Sequence, residues 1–287
     1  MEKVVNPMNR KVGLVVDSTF GLSKEFIQKH HISVVPLKIM IDDKEYIDGN
    51  VSPEITVSAL RQGKHVKTSQ PAPEFFIQAF EKQLAMYPQV LCLTLSKTLS
   101  GTINSATLAQ TIMDNPNIYV VDSESTINGG LYLTEKMVEY LDEGHHIVDA
   151  LGHLEELKEK GSLVFTIDNL QTLVKNGRIG KVSAIIGNIL KIKPILRFRS
   201  GVLELEHKVR SFKNVILYLT EEVKKMLYFG SVTVYIAFVD RGIEAKELEH
   251  ELAQLGDQVK TKITGIISPV VSAHVGLGGL GIYLTQD

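Results

Sequence analysis

The sequence predicts an α/β protein made of two α/β domains with mainly parallel sheets. Continuous apolar runs rich in Val and Ile have the pattern of strands covered on both faces. Amphipathic helical segments separate many of them, as in βαβ units. The composition agrees: 287 residues, 44% hydrophobic and 22% charged, give enough apolar material for two modest cores.

The elements follow in order along the chain. KVGLVVD (11–17) reads as the first strand and SKEFIQKHH (23–31) as a helix. ISVVPLKIMI (32–41) reads as the second strand, and PEFFIQAFEKQLA (73–85) as a helix. VLCLTLS (90–96), with Cys92 as a buried strand thiol, leads to the helix SATLAQTIMD (105–114). NIYVVDS (117–123) is followed by two helices, GLYLTEKMVEYLDEG (130–144) and HIVDALGHLEELKEK (146–160). The second half continues with SLVFTID (162–168), then KPILRF (193–198) and VLELEHKV (202–209) about an Arg-Ser-Gly turn. Those two strands form an antiparallel hairpin. NVILYLTEEVKKML, VTVYIAFV, EAKELEHELAQLG and TKITGIIS complete the alternation. No low-complexity linker interrupts it. The domain break is placed at Lys160-Gly161, where a long helix ends and a strand begins, giving domains 1–160 and 161–287.

Composition excludes several functions. A formal net charge of −2 gives no general attraction for nucleic acid or an anionic membrane. One cysteine cannot form an intrachain disulfide. MEKVVNPMNR is too polar and short for a signal peptide, and no apolar run approaches the roughly 18 residues of a membrane helix. A cytoplasmic location is expected.

Several motifs invite a chemical reading. Val15-Val16-Asp17-Ser18-Thr19 and Val120-Val121-Asp122-Ser123-Glu124 both place Asp-Ser at a strand end. Helix capping accounts for each, but such strand ends are also where open α/β sheets bind ligands. Gly276 to Gly281 fit G-x-G-x-x-G, yet too few residues follow for the helix and acid of a dinucleotide site. The glycines instead indicate a tight turn or close approach beside His274. Ser100-Gly101-Thr102 follows a strand and opens a helix, but Thr98 stands where a nucleophile elbow needs glycine. No paired Cys/His spacing suits a metal, His30-His31 and His145-His146 falling at helix ends or loops. A Walker A loop is absent.

An anion site without a catalyst remains. KTSQPAP (67–73) and TLSKTLSGT (94–102) are hydroxyl-rich and lead into helices, whose free N–H groups favour a carboxylate or phosphate. Thr68, Ser69 and Ser100, the Gly101 backbone and His274 are the candidate ligand-binding residues. A serine esterase or acyltransferase using Ser100 and His274 is the alternative. Lys191, Lys193, Arg197 and Arg199 alternate with apolar residues and are expected on one strand face, with Arg178 and Arg210 nearby as a surface for an anion or partner.

VVDST at 15–19, KTSQP at 67–71, LSGT at 99–102, VVDS at 120–123, NGRIG at 176–180, LKIKPIL at 190–196 and SAHVGLGGLG at 272–281 appear in collinear order. In these the chain resembles the DegV family, the fatty-acid-binding group that includes the FakB subunits of bacterial fatty acid kinase. The resemblance implies a long-chain fatty acid such as palmitate or oleate between two domains. Its carboxylate would be held by Thr68, Ser100 and His274. It also implies no cofactor and no catalysis by this chain: a separate kinase subunit would phosphorylate the bound acid, meeting a surface near Arg178 and Arg210. Membrane contact would be transient. Where the family has Gly-Gly-Arg, this chain has Asn176, which is expected to keep the turn because Asn tolerates left-handed angles.

Overall fold

Four of the apolar runs become a parallel sheet in the order β2-β1-β6-β7, in the computed structural model that describes residues 10–180 and 192–286. β1 (Val12–Asp17) is buried along its whole length, flanked by β2 (Ser33–Val35) and β6 (Gln89–Thr94), with β7 (Ile118–Asp122) outermost. Cys92 lies fully buried on β6. The run 32–41 is not one strand. It breaks at Pro36-Leu37, because proline supplies no N–H to a ladder. Its second half, β3 (Lys38–Ile41), joins a separate antiparallel sheet between β4 (Lys44–Ile47) and β5 (Val66–Ser69).

The second large sheet has the order β10-β9-β8-β13-β11-β12. It comprises β8 (Gly161–Thr166), β9 (Lys193–Arg199), β10 (Val202–Val209), β11 (Val232–Phe238), β12 (Val259–Ile266) and β13 (Leu280–Gln286). Parallel pairing therefore holds through the first sheet, whereas here only β11 and β12 run parallel. The physical reason is connectivity. β9 and β10 are joined by Ser200-Gly201, both at positive φ (47° and 76°), the two-residue turn of a tight hairpin. β13, hidden in the sequence behind its glycines, runs antiparallel between β8 and β11.

Helices fill three layers around the two sheets. α3 (Pro73–Leu84) and α4 (Thr102–Met113) cover the outer face of the parallel sheet, where Phe76, Phe80 and Ala106 meet Val15 and Cys92. α8 (Phe212–Leu227) and α9 (Gly242–Ala253) cover the outer face of the second sheet. Between the sheets lie α5 (Asn128–Asp142) and α6 (Ile147–Lys160). α5 buries Leu131, Tyr132, Leu133 and Met137 in one apolar cluster that also holds Leu14 and Val16 of β1, Leu163 of β8 and Tyr283 of β13. The change from one sheet to the other falls between α6 and β8, at Lys160-Gly161.

Four further helices complete the set among the described residues. α1 (Lys24–Lys29) is capped by Ser23, α2 (Glu54–Arg61) packs on α10 (Pro269–Val275), and α7 (Gln171–Lys175) leads into the NGR turn. Leu37, Ile39, Ile41, Ala59 and Val270 form a small core that seats α10 against the three-stranded sheet. A segment late in the sequence is thus held by elements from its first quarter.

Candidate functional site

Thr68 and His274, 206 residues apart, are in direct contact: Oγ1 lies 2.7 Å from Nε2. Both were expected in loops. Thr68 is instead on β5, in register with Ile39, and His274 is in the last turn of α10. Strand alternation turns Thr68 inward and leaves Ser69 exposed on the other side. Burial, with Arg178 alongside, pushes the His274 imidazole down to about 4, so it is neutral at pH 7. Its buried Nδ1 has no hydrogen-bond partner among the described residues.

The LSGT segment reaches the same wall from the other side. Asp17 Oδ2 accepts a 2.6 Å bond from the Leu95 N–H, and Asp122 Oδ1 accepts one of 3.3 Å from Lys97 N–H. The two Asp-Ser strand ends therefore brace one loop, while Asp17 also caps the short 3₁₀ turn Ser18–Phe20. Gly101 lies close under the Gln70 amide beyond that loop: a Cβ there would lie 2.2 Å from Gln70 Oε1 and displace it. Gln70 Nε2 in turn donates to Ser105 Oγ at 3.0 Å, locking TSQP against LSGT. Ser100 Oγ is 2.9 Å from Thr102 Oγ1 and makes no bond to Thr68 or His274. The N-caps of α3 and α4 are Ala72 and Gly101, and Ser100 Oγ also accepts a 3.3 Å bond from the Thr102 N–H that opens α4.

Arg178 joins the halves. Its Nε donates to Leu99 O at 3.0 Å and its NH1 to Asn176 O at 2.5 Å. The left-handed residue of the turn is Gly177 (φ 67°), not Asn176 (φ −89°), which corrects the expected role of the asparagine. Asn176 Nδ2 donates to Ala273 O at 3.2 Å, a tie to α10 that glycine cannot make. Thr68, His274 and Arg178 line an open groove of about 730 Å³ together with Lys64, Lys67 and Lys175.

The cationic strand face is corrected by its partners. Arg197 is 7% exposed and bonds Glu222, Glu206 (3.1 Å) and Ser162 (2.8 Å), so it braces β9 against α8 and is not a surface residue. Lys193 pairs with Asp168 at 2.5 Å, and the exposed Arg199 with Glu204 and Glu206. Arg210 is exposed beyond the end of β10. Lys191 lies outside the described residues.

Asp48, unremarked in the sequence because YIDGN reads as a turn, is 2% exposed. Its Oδ2 accepts a 2.6 Å bond from Ser18 Oγ and its Oδ1 a 3.4 Å bond from Val270 N–H in the first turn of α10. Burial pushes this carboxyl up to about 6. A raised carboxyl favours the protonated folded state, so its contribution to stability is present below about pH 4 and lost as pH rises through 6. The pH-dependent slope of urea-unfolding free energy between pH 4 and 6 should therefore flatten in Asp48→Asn; an unchanged slope would remove Asp48 as its source.

Beside α10 lies a narrow apolar slot of about 20 Å³, lined by Val275, Phe165, Phe238, Ile267 and the α5 start at Ile127-Asn128. Ile127 has φ 51°, a conformation costly for a β-branched side chain. The glycine run forms the turn from α10 into β13, with Gly276 and Gly278 at positive φ. Among the described residues no Ser–His–Asp relay is assembled: His274 faces Thr68 through Nε2, its Nδ1 meets no carboxylate, and Asp122 is engaged with backbone N–H groups. Among the described residues no cluster suits a metal, and no helix is long and apolar enough to cross a membrane.

Comparison with known proteins adds the following. A family model described as an uncharacterised protein of the DegV family matches residues 11–287. A DegV domain-containing protein of Staphylococcus aureus is 34% identical over 277 residues, covering 95% of this chain and 98% of its own. Of solved structures, a fatty-acid-binding DegV family protein from Thermus thermophilus superposes with a TM-score of 0.89 at 26% identity, covering 96% of this chain and all of its own. A DegV lipid-binding protein from Thermotoga maritima has a TM-score of 0.82 at 32% identity, covering 96% and 98%.

Proposed function

The chain belongs to the DegV family, and from that premise we propose that it carries a long-chain fatty acid and presents the carboxylate to a separate fatty acid kinase. The observation that carries this reading is the Thr68–His274 pair, a hydroxyl and a neutral imidazole, set between the apolar slot at Val275 and a groove rimmed by lysines and Arg178. Such a pair can orient an anion, while an imidazole pushed down to about 4, with no carboxylate on its Nδ1 among the described residues, is a weak base for activating a nucleophile. In this reading Ser100 and the Gly101 N–H are further donors to the carboxylate, whereas the exposed Ser69 takes no part.

The energetics favour the tail over the head. About fifteen buried carbons at about 0.8 kcal/mol each give roughly 12 kcal/mol, against association costs of roughly 4–15 kcal/mol. A hydrogen bond to the charged head adds about 1.5–3 kcal/mol. A slot of about 20 Å³ has room for little more than one water. A tail therefore enters by parting α10 and the start of α5 from β8 and β13.

Ser100→Ala tests the proposal at one atom. Fatty acid affinity should fall by at most about 1.5–3 kcal/mol, while kinase-dependent acyl phosphate formation falls more steeply because orientation governs it. Native mass spectrometry of lipid retention should show the acid still bound. Strong acyl-ester hydrolysis by the wild type that vanishes in the variant would establish the esterase instead.

A further inference from the structure

The slot is apolar with one exception. Asn128 is the only polar side chain among the described residues lining it, and it is 2% exposed. Its Oδ1 takes a 2.9 Å bond from Thr264 Oγ1, and its Nδ2 has no partner among the described residues. The Thr264 hydroxyl also reaches Ile236 O at 3.0 Å, although it has a single proton to give. Exchanging the two ends of the amide lets Nδ2 donate to Thr264 while Thr264 donates to Ile236. Oδ1 is then the atom left over. In either orientation one amide atom at the slot is unpaired, in a place where buried polar groups are ordinarily satisfied.

We propose that the slot takes an acyl chain carrying a hydroxyl group part-way along its length, and that Asn128 pairs with that hydroxyl. This rests on the fatty-acid reading above. A hydroxyl both donates and accepts, so it satisfies whichever amide atom is free. A plain alkyl chain seals the amide against hydrocarbon, and a hydroxyl elsewhere on the chain is itself buried without a partner. Asn128 is therefore a specificity residue that reads position along the tail. It is held in place by α5, of which it is the first residue, and by Thr264 of β12.

The test is a binding panel of stearate and its hydroxystearate positional isomers, against the wild-type chain and Asn128→Leu. One isomer, or two adjacent ones, should bind about tenfold more tightly than the other isomers. That optimum should vanish in Asn128→Leu, while stearate binding is kept or improved. The Asn128 side-chain ¹⁵NH₂ resonance of the wild type should shift with the preferred isomer and not with stearate, a readout that does not depend on the variant folding. A flat isomer profile with stearate bound, or an unmoved amide resonance, overturns the proposal and leaves the carrier reading standing. Failure of stearate and every isomer to bind overturns the carrier reading itself.

Discussion

Shortening the fatty acid from sixteen carbons to ten should weaken binding by roughly three thousandfold. Each methylene withdrawn from the apolar interior forfeits about 0.8 kcal/mol, or about fourfold in affinity, and six of them about 5 kcal/mol. The head contacts set a much smaller scale. Removing the Thr68 hydroxyl that faces His274 Nε2 should cost no more than about 1.5–3 kcal/mol. A calorimetric titration series over saturated acids, run below their aggregation concentrations, gives the slope directly. An affinity that levels off after the first few carbons would mean that only the carboxylate is held and that the slot beside Val275 stays shut.

Arg197→Ala should destabilise the fold by about 3–5 kcal/mol, as expected when one member of a buried charge network is removed. The guanidinium reaches Glu222 of α8, Glu206 of β10 and Ser162 of β8, with its side chain only 8% exposed. Its loss strips the buried cation from Glu222 (11% exposed) and Glu206 (17%), leaving the exposed Lys225 and Arg199 as their cations. Arg199→Ala is the control: its own side chain is 54% exposed and Glu206 keeps Arg197 when it is removed, so the change should stay within about 1 kcal/mol. Denaturant midpoints for the two variants separate these outcomes. Equal and small effects would restore Arg197 to the surface role its sequence position suggested.

Arg197 shows where sequence alone reaches its limit. Period-two alternation placed it correctly on one strand face with Arg199, but alternation does not say what covers that face. The cover comes from Glu222, 25 residues on and in a different element. The strands legible beforehand were those whose apolar runs are continuous, such as 11–17 and 232–239. Those missed were either short and half-polar, like β4 and β5, or obscured by glycine, like β13. Missing β5 put Thr68 and Ser69 in a loop, and with that went the alternation separating their roles. α10 was missed because seven residues offer too little periodicity. The motif residues Thr68 and His274 were nevertheless named, and the fold brings them together across 206 positions. What no local pattern signals is the support: Asp48 under α10, Gln70 against Gly101, and Arg178 on the Leu99 carbonyl.

The placement of β13 bears on how the chain acquires its shape during synthesis. The parallel sheet is complete once residue 122 is available, so the first half can assemble from its own strands. The second sheet is divided until β13 arrives, because that strand sits between β8 and β11 and follows all its neighbours in the sequence. Before then, β8–β9–β10 and β11–β12 are separate fragments, each with an unsatisfied edge where the missing strand belongs. Those open edges make the late, half-finished protein the stage most exposed to pairing with another chain. Its final strand acts as the keystone that closes both edges at once.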